Sequence, residues 1–191
     1  AGSWRTGGNV NTARIFLPGS GTSTAGLIFG GGLPAPMSAN TESYDGTSWT
    51  EVNDLNTGRR NLAGAGTSTS ALGFGGYVSP PPISANTELW NGTNWTEVND
   101  LNTARHQLGH TGTSTDALAF GGALSPTTNK TEDWNGVSWQ ENTDLSTSRG
   151  YPASSGTAAA AFAIGGTIPP GASTNSTETW SSTSTTTKTV D

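Results

Sequence analysis

Tryptophan spacing constrains this chain more than any other feature. Trp4, Trp49, Trp95 and Trp139 recur at intervals of 45, 46 and 44 residues, and Arg14, Arg59, Arg105 and Arg149 keep the same three intervals. The Gly-Gly pairs that begin at Gly30, Gly75, Gly121 and Gly165 keep them again. Three separate markers on one set of intervals mean four copies of one unit. A unit of this length is a single supersecondary motif that buries its apolar face only by stacking on its neighbours.

Within a copy most distances are constant. Trp to Arg is 10 residues, Arg to Gly-Gly is 16, and the Thr-Glu pairs at Thr41, Thr87 and Thr131 stand 8 residues before the next Trp. All length variation lies between Gly-Gly and Thr-Glu, in GGLPAPMSAN, YVSPPPISAN, ALSPTTNK and TIPPGASTNS. Fixed spacing is expected where strand pairing sets register, and variable length where a loop crosses open surface. The loops are therefore the candidate binding surface. Its residues are Leu33, Pro34, Pro36 and Met37; Tyr77, Pro80, Pro81 and Ile83; Leu124, Pro126 and Asn129; and Ile168, Pro169 and Pro170.

Each unit reads as four short strands. The first follows the Arg, as in Arg59–Gly66. The second alternates large and small residues, as in Ala71-Leu72-Gly73-Phe74 and Ala117-Leu118-Ala119-Phe120. Period two is the strand signature, and a large face backed by a Gly/Ala face suits a sheet packed on both sides. The third strand carries an aromatic residue (Tyr44, Trp90, Trp134, Trp180). Asp45-Gly46, Asn91-Gly92 and Asn135-Gly136 then predict a two-residue hairpin into a fourth strand with its own Trp. No segment has helical period. Four-stranded sheets repeated about every 45 residues predict an all-β β-propeller in preference to a linear β-solenoid. The repeats span roughly 4–48, 49–94, 95–138 and 139–182, and a Ser/Thr-rich strand or arm occupies 183–191.

At these residues the chain resembles the kelch repeat family: an Arg-led first strand, Gly-Gly ending the second, an aromatic third strand and a fourth-strand Trp, in that order. The wording NGTNWTEVNDLNTAR with GTSTSALGFGG is similar to kelch-like repeats of marine bacteriophages and environmental bacteria. The resemblance implies a virion or extracellular surface protein of structural or recognition type. It departs from the family in having four repeats where five to eight are usual, and in Thr185 at the last fourth-strand Trp position. The segment from Trp4 to Arg14 aligns with Trp95 to Arg105, so the chain is expected to open on a fourth strand able to close the last sheet or to join a second copy. The start at Ala1, with neither Met nor a charged-then-apolar leader, is the start expected of a processed chain or a fragment.

Composition excludes several classes. Eight basic residues against fourteen acidic ones give a net charge of −6, which disfavours nucleic-acid backbones as partners. No apolar run approaches the roughly 20 residues of a membrane span. Leu, Ile, Val and Phe number only 28, so the ordered core depends on the aromatic rings, each able to bury roughly 150–250 Å². There is no cysteine, hence no disulfide frame and no thiolate metal site.

No catalytic constellation is legible, and the expectation is a non-enzyme without cofactor or metal. The repeated Arg14, Arg59, Arg105 and Arg149 with Glu42, Glu88, Glu132 and Glu178 read as pairs that order the links between sheets, because four equal copies do not suit one catalytic centre. Asp54, Asp100 and Asp144 read as caps of the link turns. His106 and His110, four apart on one expected strand, share a face and form the best start for a metal site, although the other copies have no counterpart. Asn91, Asn94, Asn129 and Asn175 stand in Asn-x-Ser/Thr sequons. The leading expectation is a surface module whose loops meet a receptor, a glycan or a neighbouring subunit. The rivals are a lectin-like sugar binder, a strand-exchanging subunit of an extracellular filament and a kelch-type enzyme such as a sugar oxidase or mutarotase. The absence of cysteine argues against a copper-radical oxidase.

Overall fold

A computed structural model of the chain describes residues 2–32, 37–79, 82–124 and 126–182. The protein is all-β. Sheet 1 contains β1 (Gly19–Thr22), β2 (Ala25–Phe29), β3 (Thr41–Tyr44) and β4 (Trp49–Val52). Sheet 2 contains β5 (Ala63–Gly66), β6 (Ala71–Phe74), β7 (Thr87–Trp90) and β8 (Trp95–Glu97). Sheet 3 contains β9 (Gly109–Gly112), β10 (Ala117–Phe120), β11 (Thr131–Trp134) and β12 (Trp139–Glu141). In each, strands pair antiparallel in chain order. Sheet 4 shows three strands among the described residues: β13 (Ala153–Gly156), β14 (Ala160–Ile164) and β17 (Thr177–Ser181). A two-stranded ribbon, β15 (Thr167–Ile168) with β16 (Ala172–Ser173), rises from its loop.

The expected large and small faces interlock. On sheet 1, Leu27 and Phe29 are 1% and 0% exposed, and so are Leu72 and Phe74 on sheet 2 at 0% each. Phe29 lies against the small face of sheet 2, so close that a Cβ on Gly73 would stand 2.9 Å from Phe29 Cε2 and one on Gly64 2.7 Å from its Cζ. Glycine is required there for space. The ring also meets Trp95 of the outer strand at a centroid distance of 4.7 Å, and Phe74 meets Trp139 at the same distance. Full burial of each Leu or Phe contributes about 1.5–3 kcal/mol, so a chain poor in aliphatic residues places its few large ones where both adjoining sheets enclose them.

The outer turns differ from the sequence expectation. Tyr44 pairs with Trp49, Trp90 with Trp95 and Trp134 with Trp139, so four residues separate the strands in place of two. Only the glycine of each turn has positive φ, 96° at Gly46, 93° at Gly92 and 90° at Gly136. The residue before it uses its side chain: Asn91 Oδ1 accepts from the N–H groups of Thr93 and Asn94 at 2.9 and 2.8 Å. An Asx turn of this kind satisfies the loop amides locally and outcompetes the tighter hairpin.

The first strands are also shorter than the segment after the Arg. β5 begins at Ala63 because Asn61 has a left-handed φ of 54°, which breaks the extended run that leaves Arg59. The expected opening strand is not formed: residues 2–10 contain no strand, and Trp4 is 104% exposed. That segment has no third strand beside it in sequence, and an isolated outer strand has no ladder to join.

Candidate recognition face

The repeated Arg-Glu pairs lie inside the links. Arg14–Glu42, Arg59–Glu88, Arg105–Glu132 and Arg149–Glu178 are ion pairs at 2.5, 2.9, 3.1 and 2.5 Å. The carboxylate's second oxygen takes the link backbone: Asn11, Asn56, Asn102 and Ser146 each donate an N–H to it at 2.7 Å. Burial opposes ionisation of Glu42 and Glu178, but the donated N–H groups and the guanidinium outweigh it and hold both carboxyls below the ordinary value. Burial itself pulls the Arg59 and Arg105 guanidiniums down from their ordinary value, with Glu88 and Glu132 opposing the change. Both oxygens of each glutamate are thus engaged by the scaffold, one by the guanidinium and one by the link backbone. Asp54, Asp100 and Asp144 do not cap their own turns. Each follows the outer strand of a sheet and accepts the N–H of the third-strand Thr of that same sheet, Thr41, Thr87 or Thr131, at 3.1, 3.0 and 3.0 Å.

Two residues past each Arg the backbone does something the sequence does not announce. Phe16, Asn61, Gln107 and Tyr151 occupy one position of the repeat, and they alone among described non-glycine residues have positive φ, at 60°, 54°, 56° and 54°. A relay joins them. Asn61 N–H donates to the Phe16 carbonyl at 2.9 Å, Gln107 N–H to the Asn61 carbonyl at 3.0 Å, and Tyr151 N–H to the Gln107 carbonyl at 2.9 Å. These four residues, with Leu17, Leu62, Leu108 and Pro152, line one cavity of about 340 Å³. All four repeats thus contribute the same position to one concavity. Phe16 is 51% exposed and Tyr151 59%. A left-handed conformation costs a bulky residue on the order of 1–3 kcal/mol and concentrates where a structure serves a ligand.

The variable loops rise beside this cavity. The residue after each Arg bridges to the loop base: Ile15 to Gly32, Arg60 to Tyr77, His106 to Ala123 and Gly150 to Thr167. The loop then returns through Met37, Ile83 and Thr127 to the same base. Arg60 extends between aromatic rings, its Cζ 5.9 Å from the Phe16 centroid and 5.4 Å from that of Tyr77, and Tyr77 meets His106 at 5.6 Å. The loops and the left-handed residues therefore form one continuous face.

Of the loop residues expected to bind, Met37, Tyr77, Ile83, Leu124, Asn129 and Ile168 are half-buried, and Pro126, Pro169 and Pro170 are exposed. Leu33, Pro34, Pro36, Pro80 and Pro81 lie outside the described residues. The half-buried members support the loop bases, so the expectation ranked supports and tips alike. Asn129 donates its Nδ2 to the Leu145 carbonyl at 3.1 Å, whereas Asn91, Asn94 and Asn175 are exposed.

The two histidines do not share a face. Gln107 turns the chain between them, and His106 stays with Tyr77 while His110, in β9, stands edge-on to Phe74 at 6.2 Å. Burial lowers both imidazole pKa values, aided at His106 by the Arg60 charge and opposed at His110 by a hydrogen bond to the Gly64 carbonyl. Among the described residues no group of three His, Cys, Asp or Glu side chains is placed to hold a metal ion. Among the described residues no helix is long and apolar enough to cross a membrane.

Sequence reasoning missed Phe16, Asn61, Gln107 and Tyr151. The available signal was variation at a position flanked by invariant ones, Arg two residues before and a Leu or Pro directly after. No protein-family model matches the chain, and no curated protein matches it.

Proposed function

We propose that the chain is a non-enzymatic recognition module, a kelch-like β-propeller whose four sheets are its blades, exposed on a virion or bacterial surface. Its binding face combines the inter-strand loops with the ring of Phe16, Asn61, Gln107 and Tyr151. One observation carries the reading: four equivalent positions share a costly backbone conformation and surround one cavity, yet their side chains differ, while the scaffold around them is repeated nearly word for word. A purely structural ring would favour glycine at all four. Among the lining residues the Tyr151 phenol is the one group of acid-base type, with no carboxylate, imidazole or ammonium beside it, which favours binding over catalysis. Placement on a virion or bacterial surface rests on the resemblance of the repeat wording.

The ring's chemistry, two aromatic rings and two carboxamides about a concavity, favours a carbohydrate as ligand, since aromatic faces cover the apolar faces of a sugar while amides meet its hydroxyls. A glycan array of bacterial surface polysaccharides probed with the purified chain tests this. Binding that is lost in Phe16→Gly and Tyr151→Gly supports the proposal. An array without hits, or binding indifferent to both substitutions, removes it.

A further inference from the structure

In sheets 1 to 3 the outer strand adds a Trp beside the third-strand aromatic: Trp49 at 5.0 Å from Tyr44, Trp95 at 5.5 Å from Trp90 and Trp139 at 5.5 Å from Trp134. Trp95 and Trp139 then reach back across the sheet boundary. Each packs its ring on the Phe of the preceding sheet and donates its indole N–H to that sheet's Thr hydroxyl, Thr41 at 2.9 Å and Thr87 at 3.0 Å.

The same place between sheets 3 and 4 is a cavity of about 110 Å³, lined among others by Phe120, Thr131, Ala161, Ala163 and Trp180. It holds the equivalents of the ring and hydroxyl partners that Trp95 and Trp139 use. β17, which carries Trp180, has no neighbour on its outer side among the described residues. Thr185, at the repeat position of the missing indole, has neither ring nor N–H.

At the other end Trp4 occupies that repeat position and is fully exposed. The link that follows it is already docked: Asn11 and Arg14 hold Glu42 as Asn56 and Arg59 hold Glu88. The strand before such a link always belongs to the sheet that lies against the small face of the next. The small face of sheet 1 has no such sheet. The three atoms nearest to a Cβ placed on Gly26 all belong to sheet 1 itself, in Trp49, Tyr44 and Thr22. On sheet 4 the large face is equally uncovered, with Phe162 46% and Ile164 42% exposed where Leu72 and Phe74 are sealed.

We infer that the slot between sheets 3 and 4 receives Trp4 from a second copy of this chain. The strand beginning at Trp4 adds antiparallel to β17 with Trp4 opposite Trp180, its indole beside Phe120 and its N–H on the Thr131 hydroxyl. The same contact lays Phe162 and Ile164 on Gly26, Ile28 and Trp49 of the incoming copy. A second copy, and not the chain's own N-terminus, is the occupant because Trp4, the slot and both terminal faces are all open together among the described residues. The interface repeats the sheet packing made three times within the molecule and the indole bridge made twice. It joins unlike surfaces, so it propagates head to tail into rings or filaments. This inference rests on sheet packing and stands apart from the recognition face, whose ligand binding is measured separately.

Sedimentation of the 191-residue chain over a wide concentration range tests it, together with Trp4→Ala and Ile164→Asp. The wild type is expected to grow in mass with concentration, and each substitution to weaken association by at least about thirtyfold, the loss expected for an aromatic anchor. Trp4→Ala cannot donate but can accept, and Ile164→Asp cannot accept but can donate. Mixing the two must therefore restore a one-to-one dimer, which also shows that both variants are folded. A wild type that stays monomeric overturns the inference, whether acrylamide quenching finds Trp4 shielded by its own chain or open. So does assembly that survives Trp4→Ala, or a mixture that gives no dimer.

Discussion

The indole N–H of Trp95 donates to the hydroxyl of Thr41 at 2.9 Å, fastening the outer strand of sheet 2 to the third strand of sheet 1. Trp139 and Thr87 repeat the bond one sheet later. Both hydroxyl-bearing residues are fully buried, so the bond satisfies polar atoms that have no access to water while the indole ring closes the apolar seam beside Phe29. Trp95→Phe keeps most of the ring and leaves the Thr41 hydroxyl without its donor. It is expected to cost about 1–2 kcal/mol by urea denaturation, against about 3–5 kcal/mol for Trp95→Ala. Pairing Trp95→Phe with Thr41→Val should recover part of the first loss in a double-mutant cycle.

The buried pair of Arg59 and Glu88 gives a second expectation. Both side chains are at most 1% exposed, and Arg59 also donates to the Asn86, Gly75 and Gly73 carbonyls. Glu88→Ala leaves an uncompensated guanidinium and frees the Asn56 amide, and the expected loss is about 3–5 kcal/mol. Half-buried Lys130, 3.7 Å from the largely solvated Glu141, is the control. Lys130→Ala should change stability by under about 1 kcal/mol.

Glu42 and Glu178 make stability pH-dependent, and the sign follows from the direction of their shifts. Both are held below the ordinary value of 4.5 in the folded chain. Their contribution is present above that value and is lost as pH falls through the lower folded values. Urea midpoints should stay level down to about pH 5 and drop below pH 4.5. Glu42→Gln should lower the midpoint at neutral pH and flatten the acid limb.

Much of this arrangement is legible in the residues. Identical spacing of Trp, Arg and Gly-Gly predicts the four sheets, and the alternation in Ala71-Leu72-Gly73-Phe74 predicts which side of each sheet meets the next. What escapes the sequence is conformation that no residue type advertises. Phe, Asn, Gln and Tyr are ordinary strand or loop residues by propensity, and nothing in them announces the left-handed backbone that accompanies the relay of N–H groups from Asn61 to Tyr151. Asn91 reads as half of a tight hairpin until its carboxamide is seen to take two loop N–H groups. Trp4 reads as core by its repeat position and is the most exposed large apolar side chain of the described residues, because the sheet it belongs to is not beside it.

Strain at the ring separates support from recognition. Phe16→Gly and Tyr151→Gly remove a left-handed bulky residue and should leave the melting temperature unchanged or raised. A structural role for either ring predicts a fall. Differential scanning calorimetry of the two variants decides this without knowledge of the ligand.

The central claim, that the four repeats gather on one axis, is tested most directly by chemistry the cysteine-free chain allows. Phe16→Cys with Tyr151→Cys places one thiol on the first repeat and one on the last, on opposite contributions to the same cavity. Treated at high dilution with a short-arm bismaleimide, the folded double variant is predicted to close an intramolecular bridge in good yield, which mass spectrometry of its peptides would locate. Sheets stacked in a straight line would hold these positions about 30 Å apart, three packing distances. In that case the reagent would cap both thiols singly, and a common axis for the four repeats would be contradicted.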